Sequence, residues 1–208
     1  MFFNFHHHQP HLKNGIYNLP LFAEPTEHLF SAGIHPQGIL QNDEKKMRNW
    51  LEEVSQNKNC FAIGECGLDG LLETDKNVQK DIFLQQISLA NKLQKPLIIH
   101  CVRMFSELIP LRKKSSLPMV IHGFNKKQNI AENLLRNNFY MSFGKAVFNN
   151  LSLQKTLEIV PLKRFFIETD DADFNIDELY EKVAQLKKIT TSELQQIISE
   201  NLEALKNG

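Results

Sequence analysis

The fold is decided by the segment FAIGECGLDG, residues 61–70. An apolar run reaches Glu65 and then meets Gly67 and Gly70. Short apolar runs bounded by turn residues are typical of buried strands, so we expect Glu65 to lie where a core strand ends. A carboxylate in such a place is costly unless it is paired, and a metal ion is one such partner.

Four other apolar runs lead to residues that can bind a divalent metal. They are residues 1–5, 96–99, 118–121 and 164–169, followed by His6–His8, His100, His122 and Asp170. Ligands at the C-terminal ends of successive strands, with helices between them, converge on one rim of a barrel. The alternative is a set of unrelated polar residues at loop starts, and five strand ends in one chain disfavour it.

The first run places two histidines on one face. Side chains alternate along a strand, so Asn4, His6 and His8 share a face, and His7 lies on the other. His6 and His8 are therefore expected to form a two-pronged ligand set. A polar turn or the remnant of a purification tag is the alternative, but a tag would not follow an apolar strand.

The alternation of strand and helix patterns predicts a parallel sheet. Further strands are expected at residues 15–19, the weakest of them, and at 29–36 and 139–144. Helices are expected at 43–57, 77–94, 130–135, 153–160 and 176–186, with a short one from 105 that Pro110 kinks or ends. Thr190 and Glu193 form a capping-box pattern before a last helix. The prediction is an α/β fold, a small and partly reduced TIM-like (β/α)8 barrel, as one domain over residues 1–208.

Composition favours a soluble globular protein. Of the 208 residues, 42% are hydrophobic, and 24 basic and 24 acidic side chains give a formal net charge of zero. This balance argues against a strongly cationic nucleic-acid binder, although it allows a local basic patch.

Several features predict a cytoplasmic setting. No apolar stretch is long enough to span a bilayer, and the N-terminus lacks the basic region of a signal peptide. Cys60, Cys66 and Cys101 form an odd set without a pairing pattern, which favours a reducing compartment. No exposed heptad is present, so a monomer is favoured.

The candidate ligands are too many for one tetrahedral zinc ion. They are His6, His8, Glu65, His100, His122 and Asp170. They suit two divalent ions bridged by Glu65, and the donors fit zinc, manganese, magnesium or similar ions. Two ions can clamp the oxygens of a displacement, and a metal-bound water loses its proton near neutral pH. Asp170 would ligate one ion and orient or deprotonate that water.

Other residues are candidates for substrate binding. His35 ends the run at 29–36 and either faces the site or is a hydrogen-bonded loop residue. Arg103 could bind a phosphate oxygen or be a solvated residue at a helix start. Lys126, after the His122 run, could add a phosphate contact, or belong with Lys127 to a solvated pair.

Acidic residues beside the candidate ligands have two readings each. Asp171 and Asp173 oppose a polyanion, and they could instead bind a cationic group or cap the next helix. Asp69 either supports a ligand or only terminates the turn at Gly70.

In their order along the chain, these motifs resemble the TatD family of metal-dependent hydrolases, within the wider amidohydrolase-like barrels. The likeness is carried by His6-x-His8, GIHP at 33–36, IGECGLD at 63–69, Ile99-His100, HGF at 122–124, ETD at 168–170 and Asn201. It covers nearly the whole chain.

The resemblance implies two ligand sets and an activity. One ion is expected at His6, His8, Glu65 and Asp170. The other is expected at Glu65, His100 and His122. Family members are typically described as DNases, some of them 3′–5′ exonucleases, so DNA or a small phosphodiester is the expected substrate.

This chain departs from the family pattern in three places. Asn4 stands where an aspartate is usual, GFNK at 123–126 replaces a cysteine, phenylalanine, serine and glycine run, and DAD at 171–173 replaces a small residue and proline. The chain is also shorter than many relatives, chiefly between the first and third strands. These differences weaken the inference to DNA more than the inference to hydrolysis.

Three functional hypotheses follow. The first is a metal-dependent phosphodiesterase acting on DNA ends or short nucleotides. The second is a barrel hydrolase that cleaves a small-molecule ester or amide. The third is a non-catalytic metal-binding module, supported only by Asn4.

Overall fold

The computed structural model describes residues 2–206, and Met1 of the first predicted strand lies outside that range. Eight strands follow one another in a single sheet in chain order, and every neighbouring pair is parallel. The strands are β1 (Asn4–His7), β2 (Gly15–Asn18), β3 (Phe30–Ala32), β4 (Cys60–Asp69), β5 (Leu97–Val102), β6 (Met119–Ile121), β7 (Phe139–Phe143) and β8 (Phe165–Ile167).

Helices separate most of these strands. They are α1 (Glu44–Val54), α2 (Lys76–Leu93), α3 (Phe105–Arg112), α4 (Gln128–Arg136), α5 (Leu151–Ile159), α6 (Ile176–Lys187) and α7 (Thr191–Lys206). Within residues 2–206, loops alone connect β1 to β2 and β2 to β3. The fold is therefore the predicted (β/α)8 barrel with its first two helices missing.

The sheet closes between its first and last strands. The Asp170 N–H donates to the His6 carbonyl over 3.0 Å, and the His8 N–H donates to the Asp170 carbonyl over 3.2 Å. Asn4 adds a side-chain link, since its Oδ1 accepts from the Thr169 N–H at 3.0 Å and its Nδ2 donates to Thr169 Oγ1 at 2.7 Å. These bonds join the two ends of the sheet directly beside the candidate ligands.

Two hydrophobic clusters support the barrel. The larger one extends from Phe5, which stacks on Phe166 with ring centroids 4.2 Å apart, to the helices after β4. The smaller one packs the predicted stripe of α1, including Met47 and Leu51, against Phe30 of β3. Burial of these side chains explains why helical and strand periodicity were visible in the sequence.

Buried glutamines of α2 also fasten the strands. Gln86 accepts from the Ile34 N–H at 2.7 Å and donates to the Ile34 carbonyl at 3.1 Å. Gln79 makes the same pair of bonds with the backbone of Asp69, at 2.8 and 3.0 Å. These buried polar side chains bind backbone groups that lie at the ends of the strands, where hydrogen bonding between strands stops.

The expectation that Glu65 ends a strand is wrong. β4 continues to Asp69, so Glu65 lies in its middle, where the pairing with β5 shifts register between Ile63 and Cys66. Such an irregularity re-aims side chains. Gly64 permits it, because its φ is +157° and a Cβ there would lie 2.5 Å from the Ile98 carbonyl oxygen.

Two other local predictions have definite outcomes. Pro110 does not end α3, which continues to Arg112. In a helix, an N–H at position 110 would donate to the carbonyl of Ser106, but proline has no N–H. Ser106 is exposed in the first turn, so water can satisfy its carbonyl instead. The capping box is confirmed, since the Thr190 N–H donates to Glu193 Oε2 at 2.8 Å and the Glu193 N–H donates to Thr190 Oγ1 at 3.2 Å.

We predict that Asn4→Ala destabilises the metal-free protein by about 1–3 kcal/mol, because it leaves the buried Thr169 N–H without its acceptor. Urea unfolding followed by circular dichroism measures the change. Asn129→Ala, at an exposed site on α4, is the control and should change stability by less than about 0.5 kcal/mol. Equal stability of the two variants would contradict the role of Asn4 in closing the sheet.

Candidate metal centre

The Glu65 side chain divides the candidate ligands into two groups. Its Oε1 lies 3.0 Å from His6 Nε2 and 3.0 Å from His8 Nε2. Its Oε2 lies 3.0 Å from His122 Nε2 and 3.9 Å from His100 Nδ1. The two carboxylate oxygens therefore face different imidazoles, as a bridging carboxylate would.

Asp170 joins the group at Glu65 Oε1. Its Oδ1 is 3.3 Å from His8 Nε2 and 3.7 Å from His6 Nε2. Ligand atoms of His6, His8, Glu65 and Asp170 all lie within 4.8 Å of one another. The structure thus brings together the four residues that the resemblance assigns to the first ion.

The second expected set is arranged differently. His100 groups with His35 and Glu65, whereas His122 groups with Glu168 and Asp170. His122 still contacts Glu65 through Nε2, and its Nδ1 is 3.9 Å from both Glu168 Oε1 and Asp170 Oδ2. His100 and His122 both face Glu65, and the role of these three residues as one ligand set stays a prediction.

The electrostatics of the cluster call for positive charge. Burial alone would raise the pKa of Glu65, but His122, His6 and His8 outweigh it and hold that pKa well below its usual range. Burial likewise opposes ionisation of Asp170, but the hydrogen bond from His8 and the charges of His122 and His6 together outweigh it, so the pKa of Asp170 is lowered. Both carboxylates are therefore anions near neutral pH.

The neighbouring imidazoles respond in the opposite sense. Hydrogen bonds to Asp170 and Glu65 raise the pKa of His8 to about 10. Burial lowers the pKa of His122, but the charge and hydrogen bond of Glu65, together with the charges of Glu168 and Asp170, outweigh it and raise the pKa to about 9. Protons on these rings supply the charge that a divalent cation would supply to the same carboxylates.

The residues fit a bound divalent metal. Imidazole nitrogens and carboxylate oxygens are the usual donors to such ions, and two Nε2 atoms converge on one oxygen of Glu65. In the described part of the chain, His122 Nδ1 is also buried without a hydrogen-bond partner, and it faces two carboxylates. A cation between these groups would bind the nitrogen and oxygen atoms that otherwise need protons to offset the negative charge of the carboxylates.

Asp69 has both of the roles that its position suggested. Its Oδ1 accepts from the Leu71 N–H at 2.8 Å, which holds the turn, and its Oδ2 lies 3.1 Å from His100 Nε2. A carboxylate that accepts from one ring nitrogen fixes the tautomer and leaves the other nitrogen free for a metal. His100 Nδ1 is the nitrogen that faces Glu65.

His35 faces the cluster but is oriented as a donor. Its Nδ1 accepts from the Gln37 N–H at 3.1 Å, so its neutral ring carries the proton on Nε2, which lies 3.7 Å from Glu65 Oε2. Burial, followed by the charge of His100, lowers the pKa of His35 to about 4. A neutral N–H donor suits a substrate oxygen better than a metal, and this role stays a prediction.

The charged residues of the rim differ in their placement. Lys126 is half-buried and lines a cavity of about 190 Å³ together with His100 and His122. Arg103 is exposed after β5, and the three cavities that adjoin the cluster in residues 2–206 are lined by other residues. Asp171 is exposed and lines two of these cavities, whereas Asp173 lines none of the three.

Asn18 was missed by the sequence analysis. Its Nδ2 donates to Glu65 Oε1 at 2.8 Å, and its Oδ1 accepts from the Glu65 N–H at 3.2 Å. It ends β2, the strand with the weakest pattern. The signal that could have found it is the one used for the ligands, a polar residue at the end of an apolar run.

Glu168 belongs to the ETD motif, but the sequence alone predicted no role for it. It is fully buried, and its carboxylate accepts from the Gly123 N–H and from the Ser142 hydroxyl. Burial raises its pKa. A carboxyl group held by these two donors beside His122 fixes the loop after β6 against β8.

Known proteins share sequence similarity with most of this chain. The family described as "TatD related DNase" matches residues 18–207. "Uncharacterized metal-dependent hydrolase YabD" of Bacillus subtilis is 29% identical over 202 residues, which cover 88% of this chain and 79% of that protein. The human "3'-5' RNA nuclease TATDN2" is 33% identical over 147 residues, covering 66% of this chain and 19% of that protein.

The barrel also resembles solved structures. The crystal structure of YJJV, a TatD homologue from Escherichia coli, superposes with a TM-score of 0.82 at 18% identity, covering 99% of this chain and 97% of that one. This likeness concerns the fold.

Among the helices of residues 2–206, we find none whose length and hydropathy would let it cross a bilayer.

We predict that Asn18→Ala lowers the affinity for Mn²⁺ by roughly 10–100-fold, the usual effect of losing a group that orients a metal ligand. The reason is that Glu65 loses both side-chain bonds that fix its carboxylate and backbone. Calorimetric titration of chelator-stripped protein measures the affinity. Asn149→Ala, an exposed substitution, is the control. If both variants bind Mn²⁺ as tightly as the wild type, Asn18 does not orient the ligand.

Proposed function

Because the chain belongs to the TatD-related DNase family and is a metal-dependent hydrolase, we propose that it hydrolyses phosphodiester bonds at the ends of DNA strands. The single observation that carries the proposal is Glu65, whose two oxygens face separate groups of imidazoles. His6, His8, Glu65 and Asp170 would hold one ion, and Glu65, His100 and His122 a second. Bound divalent ions supply charge stabilisation at the phosphoryl oxygens and make water nucleophilic near neutral pH.

Asp170 is the proposed proton acceptor. Its side chain is 34% exposed, so water reaches it, whereas the side chain of Glu65 is 7% exposed. Its lowered pKa keeps it ionised near neutral pH. The attacking water would give its proton to an Asp170 oxygen while the phosphorus–oxygen bond to the leaving nucleotide breaks.

His35 and Lys126 are the proposed substrate contacts. The Nε2–H of His35 faces the Glu65 side chain, so it can donate to an oxygen of a phosphate bound there. Lys126 lines the cavity beside His100 and His122 and adds a positive charge there. Arg103 is exposed and lines none of the three cavities beside the cluster, so we propose for it a contact with a more distant phosphate.

One observation favours a second candidate function. Asp171 is exposed and adds a negative charge to two of the cavities that Asp170 also lines. Such a charge repels a polyanion, which favours hydrolysis of a small ester or amide. Asn4, on which the non-catalytic alternative rests, bonds to Thr169 and is not among the residues grouped around Glu65, so we propose catalysis rather than that alternative.

Metal-dependent shortening of DNA tests the main proposal. We expect chelator-stripped protein to be inactive on end-labelled single-stranded DNA, and Mn²⁺ or Mg²⁺ to restore stepwise shortening. Glu65→Ala should stay inactive with either ion, because the carboxylate shared by both groups is gone. Hydrolysis that persists in the chelator would contradict the proposal. Cleavage of RNA alone would make RNA the substrate, and cleavage of model esters alone would make it a small ester.

The role of Asp170 has its own test. We predict that Asp170→Asn lowers kcat by roughly 10²–10⁴-fold, the usual contribution of a general base. Asp173→Asn removes the same charge from an exposed position in the same loop and should keep kcat within about twofold of the wild type. Comparable kcat values for the two variants would contradict proton transfer to Asp170.

A further inference from the structure

A cavity of about 530 Å³ opens beside Glu65, between the loops that follow β2 and β3. We call it the amide pocket, because its walls include Asn18, Gln37, Gln41 and Asn42, together with Leu21 and His35. Its volume falls in the range of roughly 300–1,000 Å³ that is usual for small-molecule sites. It is continuous with the cluster, since Glu65 and Asp170 also line it.

Two of the four carboxamides are already engaged within the protein. Asn18 holds Glu65, and Asn42 Nδ2 donates to the Gly38 carbonyl at 2.8 Å. The side chains of Gln37 and Gln41 are exposed, and neither makes a hydrogen bond to another residue of the described chain. These two carboxamides therefore remain available for a ligand.

Among residues 2–206, lysine side chains line two cavities beside the cluster but not the amide pocket. Lys126 lines the cavity beside His100 and His122, and Lys145 lines the cavity beside Gly123 and Asp170. The described residues that line the amide pocket include neither lysine nor arginine, whereas Asp171 lines both this pocket and the cavity beside Lys145. An anionic substrate would place its phosphates toward the lysines and a neutral portion in the amide pocket.

We propose that the amide pocket binds the nucleobase next to the scissile phosphate, an inference that rests on the proposed function. A carboxamide presents a donor and an acceptor side by side, which matches the hydrogen-bonding edges of bases. Gln37 and Gln41 supply these groups, and Leu21 offers an apolar surface for the ring. The site then selects nucleotides over phosphodiesters that lack a base.

Two esters with the same leaving group test the proposal. The substrates are the p-nitrophenyl ester of thymidine 5′-monophosphate and methyl p-nitrophenyl phosphate, and both release p-nitrophenolate when water attacks phosphorus. We expect the wild type to prefer the thymidine ester in kcat/KM. Gln37→Ala combined with Gln41→Ala should reduce that preference about tenfold, as the loss of two neutral hydrogen bonds predicts.

A matched control separates this effect from a general loss of glutamines. Gln128→Ala combined with Gln196→Ala removes two exposed carboxamides from α4 and α7, and it should leave the preference unchanged. Binding of thymidine 5′-monophosphate and of inorganic phosphate to the metal-loaded protein gives a readout without turnover. The Gln37 and Gln41 substitutions should weaken binding of the nucleotide more than binding of phosphate.

The possible failures are distinguishable. If both esters are hydrolysed and the substitutions leave both the preference and nucleotide binding unchanged, the nucleobase site is wrong and the phosphodiesterase function stands. If the metal-loaded wild type hydrolyses neither these esters nor DNA, the proposed function is wrong, and the nucleobase site falls with it.

Discussion

A buried carboxylate is the constraint on which this structure depends. Glu65 lies in the middle of β4, almost out of reach of solvent, and an anion there needs compensating charge from every side. Imidazoles in or directly after β1, β5 and β6 meet that need through hydrogen bonds and charge, and so does the carboxamide of Asn18. The parallel barrel is the arrangement that allows side chains from distant parts of the chain to converge on one group.

The supporting residues extend outward from the same point. Asp69 fixes His100, and the backbone of Asp69 is in turn held by Gln79 of α2. Glu168 holds the loop after β6 through Gly123. Glu65 and His100 are thus each held by a second polar group, Asn18 and Asp69, an organisation that metal sites use to set the orientation and basicity of their ligands.

Much of this was visible in the sequence, and the missing part has a physical cause. The strands and the residues His6, His8, Glu65, His100, His122 and Asp170 could be predicted because buried apolar runs leave a local pattern. Asn18 also ends an apolar run but was missed, because its strand is short and its importance comes from a contact 47 residues away. The position of Glu65 within β4 was misjudged because a register shift enabled by Gly64 leaves no trace in hydrophobic periodicity.

The closure of the sheet links the integrity of the barrel to its chemistry. The backbone bonds that join β1 to the chain after β8 are made by Asp170 itself, with His6 and His8 as partners. Local opening at this seam would separate the proposed base from two ligands long before the rest of the barrel unfolds. Hydrogen exchange at the Asp170 amide therefore reports the fraction of molecules in which the site is assembled, and loss of activity on heating is expected to follow that fraction rather than global unfolding.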